Sequence, residues 1–156
     1  MEISKQLLGV TGEYYVAAEI SRRGYLAAIT LRNSDSVDML VSNINGDKLF
    51  SIQVKTTLGK GKKWLLNKKV EHCFSEKMFF VFVFIPENLN ISPEYIIVKA
   101  SVLGKRISEH HHNWLSKPKK DGQPRKDSPM RKFDPHFFAS EDRLTWDQLL
   151  EIINGD

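Results

Sequence analysis

Apolar and polar positions divide this chain into a small set of elements. From about Gly9 to Arg23, the residues Val10, Tyr14, Ala17 and Ile20 recur at helical spacing and Gly24 follows as a stop signal, which predicts a helix over 9–23. Glu13 falls on or beside that stripe, one turn before Ala17, where an acid is costly unless it has a partner. Tyr25 to Leu31 reads as a first strand, and Asn33-Ser34-Asp35-Ser36 as a polar connection. Val37-Asp38-Met39-Leu40-Val41 and Phe50-Ser51-Ile52-Gln53-Val54-Lys55 alternate in the manner of strands, with Asn45-Gly46 between them as a type I′ hairpin signal. Met78 to Ile85 is an unbroken apolar run, predicting a strand buried on both faces and too short to span a bilayer. A turn around Pro86 to Pro93 leads to a strand over Tyr95 to Lys99, and a short helix starts near Ser101. The chain closes on a helix from Trp146 to Ile153, where Thr145 and Gln148 form a capping box. This order predicts the α/β class, with a mixed central β-sheet flanked by helices.

The hairpin carries an internal test. If Asn45-Gly46 is a two-residue turn, Ile44 pairs with Asp47, and Asp38 lies opposite Gln53. The same register sets Val37, Met39 and Val41 against Val54, Ile52 and Phe50, an entirely apolar face. Asp38, Gln53 and Lys55 then share the other face. A slip of one residue would set core residues opposite polar ones along the hairpin.

Length and composition fit one domain over residues 1–156, large enough to fold without staples. The single cysteine, Cys73, excludes a disulfide framework and a four-cysteine zinc site, and reads as a small buried residue. The N-terminal residues lack a secretory layout, so a reducing cytoplasm is the expected compartment, with no membrane partner. Charge is unevenly spread. Between Gly104 and Lys132 there are nine Lys or Arg against three acids, a net +6 in a chain whose total is +4. Lys117, Lys119, Lys120, Arg125, Lys126, Arg131 and Lys132 lie there, with Pro118, Gly122, Pro124 and Pro129 marking an irregular loop over about 117–132. Lys60, Lys62, Lys63, Lys68 and Lys69 form a second cluster, within a segment from Thr56 to Lys69 that holds Trp64-Leu65-Leu66. Clustered positive charge points to a polyanionic partner, against the alternative of a solvated loop.

A carboxylate, an amide oxygen and a lysine on one patch of sheet can hold a divalent metal and activate water for phosphodiester hydrolysis. Magnesium takes one or two carboxylates plus carbonyls and keeps several waters. Asp38 is the anchoring ligand in this reading, with Gln53 and the Val54 backbone carbonyl beside it. Lys55 orients the water or stabilises charge on the phosphate, and Glu13 acts through the metal or a bound water.

Glu13 within Gly12-Glu13-Tyr14-Tyr15-Val16-Ala17, Asp38 on one strand and Gln53-Val54-Lys55 on the next resemble the PD-(D/E)XK nuclease superfamily, in particular small bacterial members and archaeal Holliday-junction resolvases. The likeness covers residues 9 to 100 and implies a restriction-endonuclease-like αβββαβ core. It implies a Mg2+-dependent endonuclease acting on DNA, with Mn2+ able to substitute and a homodimer common in such families. Glu13, Asp38 and Gln53 match the metal-binding acidic positions, and Lys55 the catalytic lysine. Val37 replaces the nominal proline, and Gln53 replaces an acid, which removes one negative charge. That departure keeps open a second reading, a nuclease-like fold that binds nucleic acid or a protein without cutting.

His110-His111-His112-Asn113-Trp114 could suggest a zinc site, but consecutive residues cannot all face one metal, and a polar helix end is the expectation. Trp64 and Trp114, each in basic surroundings, are either packed or available to stack on bases.

Overall fold

The computed structural model describes residues 3–31, 36–59 and 61–155. Lys60 and the Asn33–Asp35 part of the polar connection therefore lie outside the described residues. Helix α1 (Lys5–Ser21) starts a turn earlier than its apolar stripe suggests, because the Ser4 hydroxyl caps it by accepting from the Leu7 N–H at 3.2 Å. Its inner face also differs from the expectation. Gly12, Val16 and Ile20 are buried, whereas Tyr14 is 64% exposed. Glu13, beside Gly12, is half-buried at the edge of that face.

Strands β1 (Leu26–Ile29), β2 (Met39–Ser42), β3 (Leu49–Leu58), β5 (Met78–Ile85) and β6 (Glu94–Lys99) make one sheet in the order β1-β2-β3-β5-β6. All pairs are antiparallel except β3 with β5, so the sheet is mixed. The hairpin register is the expected one, with Met39 opposite Ile52 and Val41 opposite Phe50. The turn is not the expected one. Pairing ends at Ser42–Leu49, the Gly46 N–H closes on the Asn43 carbonyl at 3.0 Å, and Gly46 alone has positive φ (77°). A type I′ turn needs positive φ at both central positions. Here the Asn43 side chain bridges the loop instead, donating to Asp47 and accepting from the Lys48 N–H.

A parallel pair requires a crossover. Between β3 and β5 it is built from a short strand, β4 (Trp64–Asn67), and a 3-10 turn (Lys68–His72), where a helix would stand in an αβββαβ core. The α-helix on this face is α2 (Ala100–Leu115), which follows β6 and is much longer than the short helix expected from Ser101. Strand β4 pairs with β7 (Met130–Phe133) as a separate two-stranded ribbon. Residues 130–132 are therefore strand rather than loop.

The sheet is packed on both sides. On one, α1 and α3 (Trp146–Asn154, with the Thr145–Gln148 capping box) cover Ile52, Val54, Phe79 and Val81. On the other, α2 and the ribbon cover Phe80 and Phe82, with Phe133 stacked on Phe82 at 3.7 Å between ring centroids. Strand β5 is thus buried on both faces, which explains its unbroken apolar run. Among the described residues, no helix is long and apolar enough to cross a membrane.

Candidate active site

Strand β2 stops at Met39, whereas β3 continues six residues past Ile52, to Leu58. From Gln53 onward, β3 has lost its neighbour on that side and keeps only β5. Asp38 stands at this opening. Its backbone N–H still donates to the Ile52 carbonyl at 3.0 Å, and its carboxylate Oδ2 accepts the Val54 N–H at 2.7 Å. The carboxylate thus takes over a hydrogen bond that the missing ladder would have supplied. In a strand, the N–H and C=O of one residue point to the same side. The Val54 carbonyl therefore also faces the opening beside Asp38.

The expected pairing of Asp38 with Gln53 is not formed: the β2–β3 register ends at Met39–Ile52, and Asp38 instead reaches the Ile52 carbonyl and the Val54 N–H on either side of Gln53. Gln53 pairs with Phe80 and Lys55 with Phe82 across β5, on the α2 side of the sheet. Gln53 and Lys55 line a cavity of about 170 Å³ with Ser36, Asn67, Lys69 and Cys73. Lys69 reaches it from the 3-10 turn after β4 and adds a second cationic side chain. No local sequence pattern marks Lys69 or Asn67 as neighbours of Gln53, because the β4 crossover brings them there. Cys73 is half-buried, with its Sγ 3.4 Å from the Met78 sulfur.

Glu13 approaches from the other side of the sheet. Gly12 is pressed so closely on β3 that a Cβ built there would lie 1.9 Å from Thr56 Oγ1. Gly12 thus sets α1 against the unpaired stretch of β3, and half-buried Glu13 is the next residue along the helix. Among the described residues, no three His, Cys, Asp or Glu side chains gather as a metal site. The oxygen donors on this stretch of sheet are the Asp38 carboxylate, the Gln53 amide and the Val54 carbonyl. That set suits magnesium, which needs few protein ligands and tolerates neutral oxygens. Cys73 adds a lone sulfur to the cavity lining, short of the four nitrogen and sulfur ligands of a structural zinc site.

The basic residues divide by environment. Lys63, Lys68, Lys69, Lys117, Lys119, Lys120, Lys126 and Lys132 are exposed. Lys62 is exposed and pairs with Glu94 at 2.5 Å. Arg125 is half-buried over the Trp114 ring, 4.7 Å from its centroid, and donates to the Lys117 carbonyl at 2.9 Å. Arg131 departs from the expected surface position. It is buried, and its guanidinium is bound to Glu71 (2.5 and 3.2 Å) and Asp127 (3.2 Å), so it ties the ribbon to the 3-10 turn.

The three histidines diverge as helical geometry requires. His110 stacks on Phe137, His111 hydrogen-bonds Asp127 at 2.7 Å, and His112 turns back to the Ser108 carbonyl. They lie towards the C-terminal end of α2, with His112 in its last turn, as the polar helix end expected there. Trp64 is 3% exposed and packs edge-on against Phe82 and Phe133, which removes it from base stacking. Trp114 is 40% exposed.

No family model matches the sequence, and no curated protein matches it. The fold, however, is similar to solved nucleases. It matches Hjc, a Holliday junction resolvase from the archaeal hyperthermophile Archaeoglobus fulgidus, with a TM-score of 0.51 and 13% identity over 94% of this chain and 95% of that one. It also matches the bacterial homing endonuclease I-Ssp6803I, with a TM-score of 0.52 and 15% identity over 99% of this chain and 96% of that one. Both are PD-(D/E)XK-like nucleases, and at these identities the likeness is one of fold.

Proposed function

We propose that this protein is a metal-dependent endodeoxyribonuclease whose site comprises Glu13, Asp38, Gln53 and Lys55. The observation that carries this reading is the Asp38–Val54 contact at the place where β2 leaves β3, in a fold shared with DNA-cleaving enzymes. Asp38 Oδ1, the Val54 carbonyl and the Gln53 amide oxygen would hold Mg2+, or Mn2+ in its place, with Glu13 contributing past the open edge of β3. Bound there, the metal supplies a lowered water pKa and neutralises charge on the phosphate. Lys55 places an ammonium beside the scissile phosphate, where it stabilises the developing negative charge. Lys69, in the same cavity, holds an adjacent phosphate oxygen. Lys63, Lys68, Lys117, Lys119, Lys120, Lys126 and Lys132 grip the backbone through charge, without reading sequence. Arg131 has no part in that grip, and cytoplasmic DNA is the expected substrate.

Gln53 favours a second reading. With an amide where the superfamily pattern has an acid, and no three-acid cluster among the described residues, the fold could serve as a binding module without hydrolysis. One experiment separates the two. Linear, nicked, forked and four-way-junction DNA are incubated with wild type and Asp38→Asn, in magnesium, manganese and chelator. Cutting by wild type alone, and only with metal, is the expected result. Wild type that binds DNA equally well in chelator, takes up no manganese and cuts nothing overturns the nuclease reading in favour of the module.

A further inference from the structure

A second cavity, of about 420 Å³, opens on the other face of the β4–β7 ribbon and shares no lining residue with the Gln53–Lys55 cavity. Strand alternation separates them: Leu66 faces the first and Leu65 the second. Its volume lies in the range of about 300–1,000 Å³ typical of small-ligand sites. Leu65, Ile107 and Met130 give it apolar walls, and Trp114 and Phe137 add two flat ones. Both aromatic rings are accessible, at 40% and 38% exposure. Both are also braced: His110 stacks on Phe137 at 3.7 Å, and His111 on Trp114 at 5.5 Å, with Arg125 over the same indole. A braced ring loses little side-chain freedom when it takes a stacking partner.

The surroundings are cationic. Lys132 lines the cavity, and Arg125 carries the 117–126 loop, with Lys117, Lys119, Lys120 and Lys126, against its Trp114 side. A ligand that suits flat apolar walls inside and lysines outside is flat and apolar at one end and anionic at the other. A nucleotide has that form.

We propose that this cavity receives one unpaired nucleobase of a bound nucleic acid, while Lys132 and the loop lysines hold the flanking phosphates. The protein then favours DNA that offers an extrahelical or unstacked base over continuous duplex. This rests on the nucleic-acid reading given under Proposed function and adds to it a substrate class. A base already unpaired costs less to extrude than a paired one, and stacking on aromatic walls is tolerant of base identity.

The test is binding in chelator of a duplex carrying a single-nucleotide bulge of 2-aminopurine, compared with the same duplex without the bulge. Wild type is expected to bind the bulged duplex about tenfold more tightly, with quenching of the probe's fluorescence on stacking. Trp114→Ala removes a wall, and Met130→Trp fills the cavity from an exposed strand position. Both variants should lose the preference, and Met130→Trp, which leaves the Arg125–Trp114 contact in place, should also keep wild-type affinity for continuous duplex and wild-type cleavage of it in magnesium. A preference that survives in Met130→Trp, or is absent from a wild type that binds and cuts continuous duplex, overturns the pocket and leaves the nuclease standing. Wild type that binds neither duplex overturns both.

Discussion

Asp38 Oδ2 lies 2.7 Å from the backbone nitrogen of Val54, so one carboxylate both closes the end of the β2–β3 ladder and stands at the candidate metal position. The two roles respond differently to substitution. Asp38→Asn keeps an oxygen to accept the Val54 N–H and removes only the charge. Its melting temperature should stay near wild type while cleavage falls by about a hundredfold or more, as expected when a group that stabilises the transition state is lost. Asp38→Leu leaves the Val54 N–H without its acceptor and should lose about 1–3 kcal/mol of stability as well. Melting curves run beside a cleavage assay check both, and a wild-type cleavage rate in Asp38→Asn would remove Asp38 from the site.

Gly12 matters through Thr56. A methyl at position 12 would lie 1.9 Å from Thr56 Oγ1 and 3.0 Å from its Cβ, a contact relieved only by moving α1 off β3. Gly12→Ala should lose about 1–3 kcal/mol in urea unfolding, the usual cost of overpacking. Thr56→Ala removes the nearest atom and so should recover part of that loss in the double variant. Additive single effects in this cycle would show that the two residues do not meet.

The hairpin register is legible in the core pattern, because Met39 and Val41 need Ile52 and Phe50, although the pairing stops at Met39 and does not extend to Asp38 and Gln53. The turn departs from its signal, since Asn45-Gly46 acts only locally and the Asn43 side chain bridges the loop instead. The α1 stripe through Val10 and Tyr14 was misleading because Gly12, which has no side chain, makes the closest contact with the sheet. Strands β4 and β7 are not legible in the sequence for a different reason. Each is four residues long, and more than sixty residues separate them in sequence. Trp64-x-Leu66 alternates as a buried strand face should, but lysines surround it, and only β7 gives it a partner. Arg131 reads in sequence as one more residue of the basic loop because its acid, Glu71, lies sixty residues away.

Two basic residues in the same segment should therefore behave oppositely. Arg131→Gln strands Glu71 in a mostly buried setting and should lose about 3 kcal/mol, the low end for breaking a buried pair. Its effect should appear as a lower unfolding midpoint. Lys126→Gln should leave that midpoint unchanged. If Lys126 meets a phosphate, the slope of log affinity against log salt should flatten by about 0.9 for duplex DNA. An unchanged slope would detach Lys126 from the grip.

His110 gives stability a defined pH dependence. Burial against Phe137 lowers its pKa from the ordinary value of 6.5, with Asp134 opposing and His111, Lys132 and Lys117 adding to the shift. The unfolded chain then binds the proton more readily than the folded one, so this contribution rises with pH. It is complete above pH 6.5 and is lost as the pH falls through the lowered folded value. His110→Phe keeps a ring on Phe137 and removes the titration. Its melting temperature should vary less than that of wild type between neutral pH and about pH 5.5. Identical pH profiles for the two proteins would refute the assignment.

Gln53→Glu tests the candidate site by gain rather than loss. Asp38 contacts the β3 backbone at Ile52 and Val54, the residues on either side of position 53, so the substitution sets a second carboxylate near Asp38. Without metal, two like charges at that distance repel, and one of them is driven towards its protonated form. The metal-free variant should melt below wild type. A divalent ion relieves the repulsion and gains a charged ligand in place of a neutral amide. Manganese should therefore bind the variant more tightly by calorimetry and raise its melting temperature further than it raises that of wild type. A ligand that binds only the folded state stabilises it by about 2.7 kcal/mol at a hundred times its Kd, so the two thermal shifts should be resolvable. If manganese raises neither melting temperature, Asp38 and position 53 do not share a metal site, and the binding-module reading gains the ground the nuclease loses.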